Sequence, residues 1–376
     1  MELQKVERLA RLCETCPKMC RHVCTTHNVT RSEADTPNER CSIAYRALLR
    51  GYFLPEEAPY MYQKCATCGL CLAWCETEID AGEVMLAARV DLVNAGMAPV
   101  EAAAIQKNIQ SEGNPHGEPA SDRYAAIANE IRVLPDTAEV LYYAGCDTLY
   151  RQPEIAQAAL KVFRAAGVDH TMIKAGEPCC GEPLRLMGYI EDFKASARKV
   201  MDGVSQTGAK TVVCTCPSCL RMMKDVYASY GVQAPGGVEF LHMSEYLLRL
   251  MNSGQLKFTR SLDLKMTYHD PCDLGRRLEI YEPPRQVLAL LPGVKYQDMF
   301  FNRRDARCCG AGGGLAATNL ALVIEASKTV VGMARNVNAE VLVTACPTCK
   351  TSFNRQTYKL DDLKTMDLIE LVALAL

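Results

Sequence analysis

The chain has 376 residues, 49% of them hydrophobic, and a formal net charge of −2. This length and composition support two or three packed domains and exclude a disordered chain. Because there is no excess of basic residues, nucleic acid is excluded as an expected partner. The first residues, MELQKVERLARLCE, lack the apolar segment of a signal peptide, and no apolar run approaches the length of a membrane span. We therefore expect a soluble cytoplasmic protein with no direct membrane span.

The cysteine content stands out, since the chain contains 20 cysteines. Disulfides would not persist in the reducing compartment that the absence of an export signal indicates. Metal or iron–sulfur ligation is therefore favoured.

The first two cysteine groups are CETCPKMCRHVC and CATCGLCLAWC, at residues 13–24 and 65–75. Such short gaps let thiolates surround one compact core, and the second group has the bacterial ferredoxin spacing, in which the fourth cysteine ligates the other cluster. We predict an α-helical ferredoxin-type domain over residues 1–134 with two cubane [4Fe-4S] clusters. Cluster 1 is predicted on Cys13, Cys16, Cys20 and Cys75, and cluster 2 on Cys65, Cys68, Cys71 and Cys24.

A pair of zinc sites is the alternative for these groups, because CxxC pairs are also zinc signatures. Three cysteines within seven residues crowd a tetrahedral zinc, which favours iron–sulfur clusters. The proline that usually follows the fourth cysteine is replaced by Thr25 and Glu76. The cross-ligation is thus less firmly indicated than the cluster number. Downstream, GNPHGEP at 113–119 has the composition of an interdomain loop, whose His116 needs no chemical role.

The remaining cysteines form two copies of one pattern. Each copy has one cysteine, then an adjacent pair, then a CPxC motif, and corresponding positions are 126 to 130 residues apart. The first copy comprises Cys146, Cys179, Cys180, Cys216 and Cys219, and the second comprises Cys272, Cys308, Cys309, Cys346 and Cys349.

Each copy alternates strand-like and helix-like segments. AEVLYYAGC and TVVCTC read as buried strands, EIAQAALKVFRAAG reads as a helix, and Pro217 opens another. The second copy has LKMTYHDPC, PPRQVLALLPG, AEVLVTAC and a helix from Pro347 in the same order. This alternation predicts two α/β domains with parallel sheets, over residues 135–258 and 259–376. The cysteines then follow the carboxyl ends of strands, where open α/β sheets place ligands.

Five cysteines in each copy are one more than a cubane needs. Either one thiolate is spare for redox chemistry, or the cluster is not a cubane. Together with the eight N-terminal cysteines the two copies leave only Cys41 and Cys214, which we interpret as buried apolar residues.

The repeated spacing, with YHDPC at 268–272 and CCGAGGG at 308–314, resembles the CCG domain of heterodisulfide reductases. Similar domains occur in the iron–sulfur subunits of anaerobic glycerol-3-phosphate dehydrogenase and glycolate oxidase. Asp273 stands where the resemblance leads us to expect histidine. The order of parts, a ferredoxin-type domain before two CCG domains, is similar to the catalytic subunit of the membrane-associated heterodisulfide reductase.

The resemblance implies that each CCG set holds a noncubane [4Fe-4S] cluster. Cluster 3 would take the first five-cysteine set and cluster 4 the second. The implied function is that of an iron–sulfur electron-transfer subunit, with disulfide or thiol chemistry at the CCG clusters. The implied catalytic residues are Cys146, Cys179, Cys180, Cys272, Cys308 and Cys309.

Two outcomes stay open for the terminal reaction. A disulfide reductase predicts a substrate cavity between the two CCG clusters, whereas a pure relay from a flavoprotein to a quinone-linked or other acceptor predicts that at least one cluster is sealed. No dinucleotide or phosphate-binding motif is present, so electrons are expected from a partner. That partner is a flavoprotein, a hydrogenase or a membrane quinone-linked subunit, and it would supply any association with a membrane.

Charged residues near the second CCG set have two interpretations. Either they attract an anionic substrate or acidic partner or raise the potential of a reduced cluster, or they form a solvated surface. They are Arg276, Arg277, Arg303, Arg304 and Arg307. His269 could deliver protons to a departing thiolate, but a structural hydrogen bond is the favoured interpretation.

Overall fold

The N-terminal part of the chain is helical. The computed structural model describes residues 1–376. The α-helices of this part are α1 (Glu7–Glu14), α2 (Thr25–Thr30), α3 (Pro37–Arg50), α4 (Glu57–Gln63), α5 (Leu70–Ala73), α6 (Ala81–Asn94), α7 (Val100–Glu112) and α8 (Ala128–Val133). Local signals set their ends. The Thr36 side chain accepts a hydrogen bond from the Glu39 amide at the start of α3, and Asp80 does the same for Gly82 at the start of α6.

The first α/β unit is a four-stranded parallel sheet with strand order β2-β1-β3-β4. Its strands are β1 (Val140–Tyr143), β2 (His170–Thr171), β3 (Thr211–Cys214) and β4 (Glu239–His242). Its helices are α9 (Cys146–Arg151), α10 (Pro153–Ala165), α11 (Glu182–Met187), α12 (Ile190–Gln206), α13 (Pro217–Arg221) and α14 (Met243–Asn252). In the central pair, Val140 lies opposite Thr211 and Tyr143 opposite Cys214.

The second unit repeats this topology, with order β6-β5-β7-β8 and all strands parallel. Its strands are β5 (Lys265–His269), β6 (Lys295–Tyr296), β7 (Val341–Thr344) and β8 (Lys364–Asp367). Its helices are α15 (Glu282–Leu290), α16 (Leu315–Thr318), α17 (Leu320–Asn336), α18 (Pro347–Thr357) and α19 (Leu368–Ala375). The predicted fold class, a helical segment followed by two parallel α/β repeats, is confirmed.

The cysteines of both repeats follow the carboxyl ends of central strands. Cys146 begins α9 three residues after β1 ends, and Cys216 lies between β3 and the helix that Pro217 opens. Cys346 has the same place between β7 and α18. Proline suits the first turn of a helix because it has no amide hydrogen to satisfy there. The CPxC motif therefore determines where the helix after each of these strands begins.

Polar contacts join the two repeats. Lys350, with only 2% of its surface exposed, places its Nζ 2.5 Å from Glu154 of the first repeat and 2.6 Å from Glu370. Asp273 accepts hydrogen bonds from Ser218 (2.6 Å) and Arg221 (3.1 Å) across the same interface. Asp273, which stands where we expected a histidine, thus bridges the two repeats.

One hydrophobic core runs from the N-terminal helices through the first sheet into the second repeat. Met61 and Tyr62 of α4 belong to it with Phe163 of α10 and Tyr268 of β5. This continuity holds the N-terminal helices against both repeats. None of the helices has the length and apolar content needed to cross a membrane.

Candidate metal centres

The last cysteine of each N-terminal group lies close to cysteines of the other group. Cys24 lines a small cavity, of about 20 Å³, together with Cys65, Cys68 and Cys71. The chain makes this possible because Cys24 is extended between a short 3-10 turn and α2. These are the four residues that the ferredoxin spacing assigns to cluster 2.

The converse holds for Cys75. Burial and then the neighbouring thiols of Cys13, Cys24, Cys75 and Cys16 raise the pKa of Cys20 to about 12. Cys75 is therefore close to the first group although it belongs to the second in sequence. The structure brings together the residues predicted for cluster 1, and their role as ligands stays a prediction.

Arg40 supplies a buried positive charge at the N-terminal sites. Its Nη2 lies 3.3 Å from Cys24 Sγ, while its Nη1 donates to the Lys64 carbonyl oxygen at 2.7 Å. Its buried Nε has no hydrogen-bond acceptor. Backbone amides also point at sulfur, from Thr67 to Cys65 (3.4 Å). These donors suit an anionic thiolate-bound group.

In the first repeat the five predicted cysteines converge. The thiol of Cys146 adjoins that of Cys179, and the thiol of Cys180 adjoins those of Cys179 and Cys219. The thiol of Cys216 adjoins that of Cys219. Gly145 has φ +85°, and a Cβ there would lie 3.1 Å from Cys219 Sγ. The thiols therefore approach the backbone where a side chain would crowd them.

Glu177 fixes the end of β1 beside this set. Its buried carboxylate accepts hydrogen bonds from the amides of Ala144 (2.9 Å) and Gly145 (2.7 Å). Burial raises the pKa of Glu177 to about 7, against the opposing effect of Arg123 and the two amides. Sequence reasoning missed this residue, although it stands two residues before the cysteine pair in EPCCGEP.

The second repeat has the same convergence. The Sγ atoms of Cys309 and Cys349 are 3.3 Å apart, and the thiol of Cys308 adjoins those of Cys272 and Cys309. The Gly310 amide donates to Cys308 Sγ at 3.3 Å, as the Gly181 amide does to Cys179 in the first repeat at 3.5 Å. Cys346 completes the set, with its thiol next to that of Cys349.

The thiol sets also adjoin one another. A hydrogen bond with Cys308 lowers the pKa of Cys68 to about 5, against the effect of burial. The hydrogen bond of Cys346 with Cys349 lowers its pKa, but burial and the thiols of Cys216 and Cys309 raise it to about 12. The N-terminal set that contains Cys68 therefore adjoins the second CCG set, and the second CCG set adjoins the first.

These surroundings fit iron–sulfur clusters by their donor chemistry. Four or five thiols converge in each set, backbone amides point at sulfur, and buried arginine nitrogens such as Arg40 Nε and Arg276 Nη2 have no acceptor among the protein atoms. Nowhere in the chain do three His, Cys, Asp or Glu side chains converge on the position of a single ion. Cysteine thiolates are the ordinary ligands of iron–sulfur clusters.

A cavity of about 520 Å³ opens on the first CCG set. All five cysteines of that set line it, and its opposite wall comes from the second repeat: the glycine run at 311–314, α16, α17 and α18. None of the five second-set cysteines lines it. The space therefore lies between the repeats and reaches one of the two CCG sets.

Of the two histidines singled out in the sequence, only His116 has an unexpected place. His116 lines the cavity, with its Nε2 3.0 Å from Asp147 Oδ1. His269 is 1% exposed, its Nε2 lies 2.9 Å from the Arg307 carbonyl oxygen, and burial lowers its pKa. The structural interpretation of His269 therefore fits, and sequence reasoning missed His116 because loop composition carries no sign of a cavity.

The arginines near the second set divide into two groups. Arg303 is 42% exposed and paired with Glu282 and Asp298, which fits a solvated surface. Arg276 and Arg277 instead point into the protein: Arg276 Nε donates to the Cys68 carbonyl oxygen at 2.8 Å, and Arg277 pairs with Asp80 at 2.5 Å. These two join the N-terminal helices to the second repeat.

Arg89 ties three parts of the chain together. This buried side chain donates to the carbonyl oxygens of Met61 (3.0 Å), Leu186 (2.8 Å) and Gly313 (2.9 Å). Gly313 has φ +61°, and a Cβ there would overlap the Cys65 carbonyl oxygen. The glycine run therefore lets the second repeat approach the N-terminal cysteines.

Replacing Gly313 by alanine is expected to lower the free energy of unfolding by about 3–4 kcal/mol, because the backbone must move away from Cys65. Gly254→Ala is the matched control, since Gly254 has φ +74° but no atom within 4 Å of an added methyl group. It should cost only about 1–2 kcal/mol, from the left-handed backbone. Urea unfolding of both variants measures the difference, and equal costs would contradict the steric argument.

Each of the two parallel sheets carries five cysteines, and the N-terminal helical part carries eight more. These features define a cysteine-rich iron–sulfur electron-transfer protein. Residues 140–224 and 266–354 both match the cysteine-rich domain family called CCG. The chain is 35% identical over 319 residues to a subunit of the dihydromethanophenazine:CoB–CoM heterodisulfide reductase of Methanosarcina acetivorans, covering 83% of this chain and 77% of the relative. It belongs to the family of CCG-domain iron–sulfur oxidoreductases that includes this subunit.

More distant relatives have other names. A subunit of the fumarate reductase (CoM/CoB) of Methanothermobacter marburgensis is 27% identical, over 83% of this chain and 61% of its own length. EtfAB:quinone oxidoreductase of Syntrophomonas wolfei is 28% identical, over 76% of this chain and 42% of its own length. A solved structure of a hypothetical protein from Helicobacter pylori has a TM-score of 0.52 at 10% identity, over 90% of this chain and 65% of that one, a likeness of fold alone.

Proposed function

We propose that this chain is the iron–sulfur subunit of a heterodisulfide-reductase-like complex and reduces a disulfide in the cavity between its CCG repeats. The four thiol sets would hold two cubane and two noncubane [4Fe-4S] clusters, on the residues predicted for clusters 1 to 4. Bound there, the clusters would supply one-electron donors and acceptors. Electrons would come from a partner redox subunit, as in the complexes to which the relatives belong.

The observation that carries this proposal is the 520 Å³ cavity lined by Cys146, Cys179, Cys180, Cys216 and Cys219. It offers a small disulfide access to the first CCG set from the side of the second repeat. A chain that only relays electrons would not need such a space at a buried set. The volume falls within the range of ordinary small-molecule sites.

The order of the thiol sets supports a single route of electron transfer. The N-terminal set predicted for cluster 2 contacts the second CCG set through Cys68 and Cys308. The second CCG set in turn adjoins the first CCG set through Cys346 and Cys216. The first CCG set then faces the cavity. Reduction of the disulfide consumes two electrons and two protons: the S–S bond breaks, two S–H bonds form, and the protons come from solvent in the open cavity.

The partner is proposed to dock beside the first N-terminal set. Cys16, Cys20 and Cys75 are partly exposed, whereas the first CCG cysteines are buried. Next to them, Trp74 is 43% and Met19 is 65% exposed. Exposed Trp and Met side chains are enriched at protein interfaces. A flavoprotein, hydrogenase or membrane quinone-linked subunit would therefore deliver electrons here, and any link to a membrane would come through it.

The second candidate is a pure relay to a quinone-linked acceptor. It is favoured by the likeness to the EtfAB:quinone oxidoreductase and by the absence of second-set cysteines from the cavity wall. In that case the cavity would be filled by a partner, and no disulfide would react.

Replacing Ala317 by tryptophan separates these functions, because this exposed residue lines the cavity. With reduced viologen as donor and bis(2-hydroxyethyl) disulfide as probe, we expect thiol release to fall about tenfold or more, since the bulky ring excludes the probe. Cluster reduction by viologen should not change. Ala289→Trp, on the exposed face of α15, is the control. Undiminished thiol release in the Ala317 variant would contradict disulfide reduction in this cavity.

A further inference from the structure

Arg276 lies where the N-terminal thiols meet the second CCG set. It belongs to the π-helical turn Asp273–Arg277 that follows Cys272. Its Nε donates to the Cys68 carbonyl oxygen at 2.8 Å, and its Nη1 donates to the Ala306 carbonyl oxygen at 2.7 Å. One guanidinium thus binds a loop of the helical part and a loop of the second repeat.

The rest of this guanidinium has no partner in the protein. Its Nη2 is buried without a hydrogen-bond acceptor, and no carboxylate pairs with Arg276, whereas its neighbour Arg277 pairs with Asp80. A buried cation without a counter-charge is costly. An anionic group on the surrounding thiols would supply that counter-charge.

Cysteines of two sets lie near this charge. Arg276 Nε contacts the backbone of Cys68, whose thiol adjoins that of Cys308, and Arg276 lies in the turn that directly follows Cys272. Cys68 belongs to the N-terminal set, and the other two belong to the second CCG set. The corresponding residue of the first repeat, four positions after Cys146, is Tyr150. A cation at this position of the repeat is therefore present only in the repeat that adjoins the N-terminal thiols.

We propose that Arg276 sets the reduction potentials of the two clusters between which it lies and thereby the transfer of electrons from the N-terminal part to the CCG repeats. Its positive charge stabilises an added electron on either side, because charge interactions are strong in a buried, poorly polarisable environment. Reduction potentials of iron–sulfur clusters depend on nearby charge and hydrogen bonds. This role rests on the proposed cluster binding and makes Arg276 a positioning residue rather than a ligand.

The test compares Arg276→Gln, Arg276→Lys and the unaltered chain, all purified anaerobically, by iron analysis and by redox titration followed by electron paramagnetic resonance. We expect Arg276→Gln to retain iron and to disfavour reduction of the N-terminal cluster at Cys68 and of the second CCG cluster at least tenfold. For one electron, tenfold corresponds to a potential about 59 mV more negative. Arg276→Lys, which keeps the charge, should restore most of the difference.

Arg303→Gln is the matched control, because Arg303 is exposed and paired with carboxylates. It should leave all potentials unchanged, as should Arg276→Gln for the other two clusters. Unchanged potentials in an iron-replete Arg276→Gln chain would overturn the proposal, and so would loss of iron from both Arg276 variants, which would make the residue purely structural. The titration uses no disulfide, so a failure of disulfide reduction leaves its outcome unaffected.

Discussion

Replacing Cys309 by serine is expected to remove the cluster of the second CCG repeat. Cys309 contacts both Cys308 and Cys349, with its Sγ 3.3 Å from that of Cys349. Loss of this thiolate removes the link between the cysteine pair and the CPxC motif. We expect iron to fall from about 16 to about 12 atoms per chain and the paramagnetic signal of that repeat to disappear, with the ferredoxin-type signals intact.

Cys214→Ser is the control for this experiment. Cys214 is also fully buried, at the end of β3, but belongs to no thiol set. It should retain all iron. A Cys309 variant with normal iron content, spectrum and disulfide reduction would show that the fifth cysteine is no ligand. Zinc without acid-labile sulfide in the unaltered chain would instead contradict every iron–sulfur assignment.

Replacing Cys24 by serine should remove the N-terminal cluster that adjoins the CCG repeats. Because Cys24 shares a cavity with Cys65, Cys68 and Cys71, the variant should lose the signal of that cluster and keep the other N-terminal one. Electrons would then stop before the second CCG set. We expect about a quarter of the iron to be lost, and disulfide reduction driven through the partner subunit to fall to background.

The reciprocal variant is Cys75→Ser, which should affect the cluster of Cys13, Cys16 and Cys20 instead. Signals are assigned by comparing the two variants in the same redox titration. If Cys24→Ser removed the cluster of its own sequence group, ligation would follow the order of the chain and the predicted cross-ligation would be wrong.

Buried arginines recur beside the thiols in this chain. Arg40 contacts Cys24 (3.3 Å), Arg123 approaches Cys146 (4.0 Å), and Arg276 lies among Cys68, Cys272 and Cys308. Carboxylates compensate the positive charge of each of these arginines at most in part. Several thiolates around one cluster carry net negative charge, so a nearby guanidinium offsets the cost of burying both. The pattern links the packing of the three parts to the chemistry proposed for them.

The local structure of this protein and its family membership can be read from its amino-acid sequence. The CPxC motif placed Pro217 and Pro347 at helix starts, and the repeat offset gave two copies of one parallel α/β unit. Such features depend on residues only a few positions apart, and they repeat, so they can be read along the chain. The exact division at residues 134 and 258 stays a prediction, because one core joins the parts.

Which thiol sets adjoin, and which one reaches solvent, follows from the packing of distant parts of the chain. Cys68 and Cys308 are 240 residues apart, and Arg89 reaches Gly313 across 224 residues. The cavity requires the glycine run of the second repeat to face the cysteines of the first. These contacts depend on how separate parts of the chain pack against one another, and spacing within a motif contains no information about that packing.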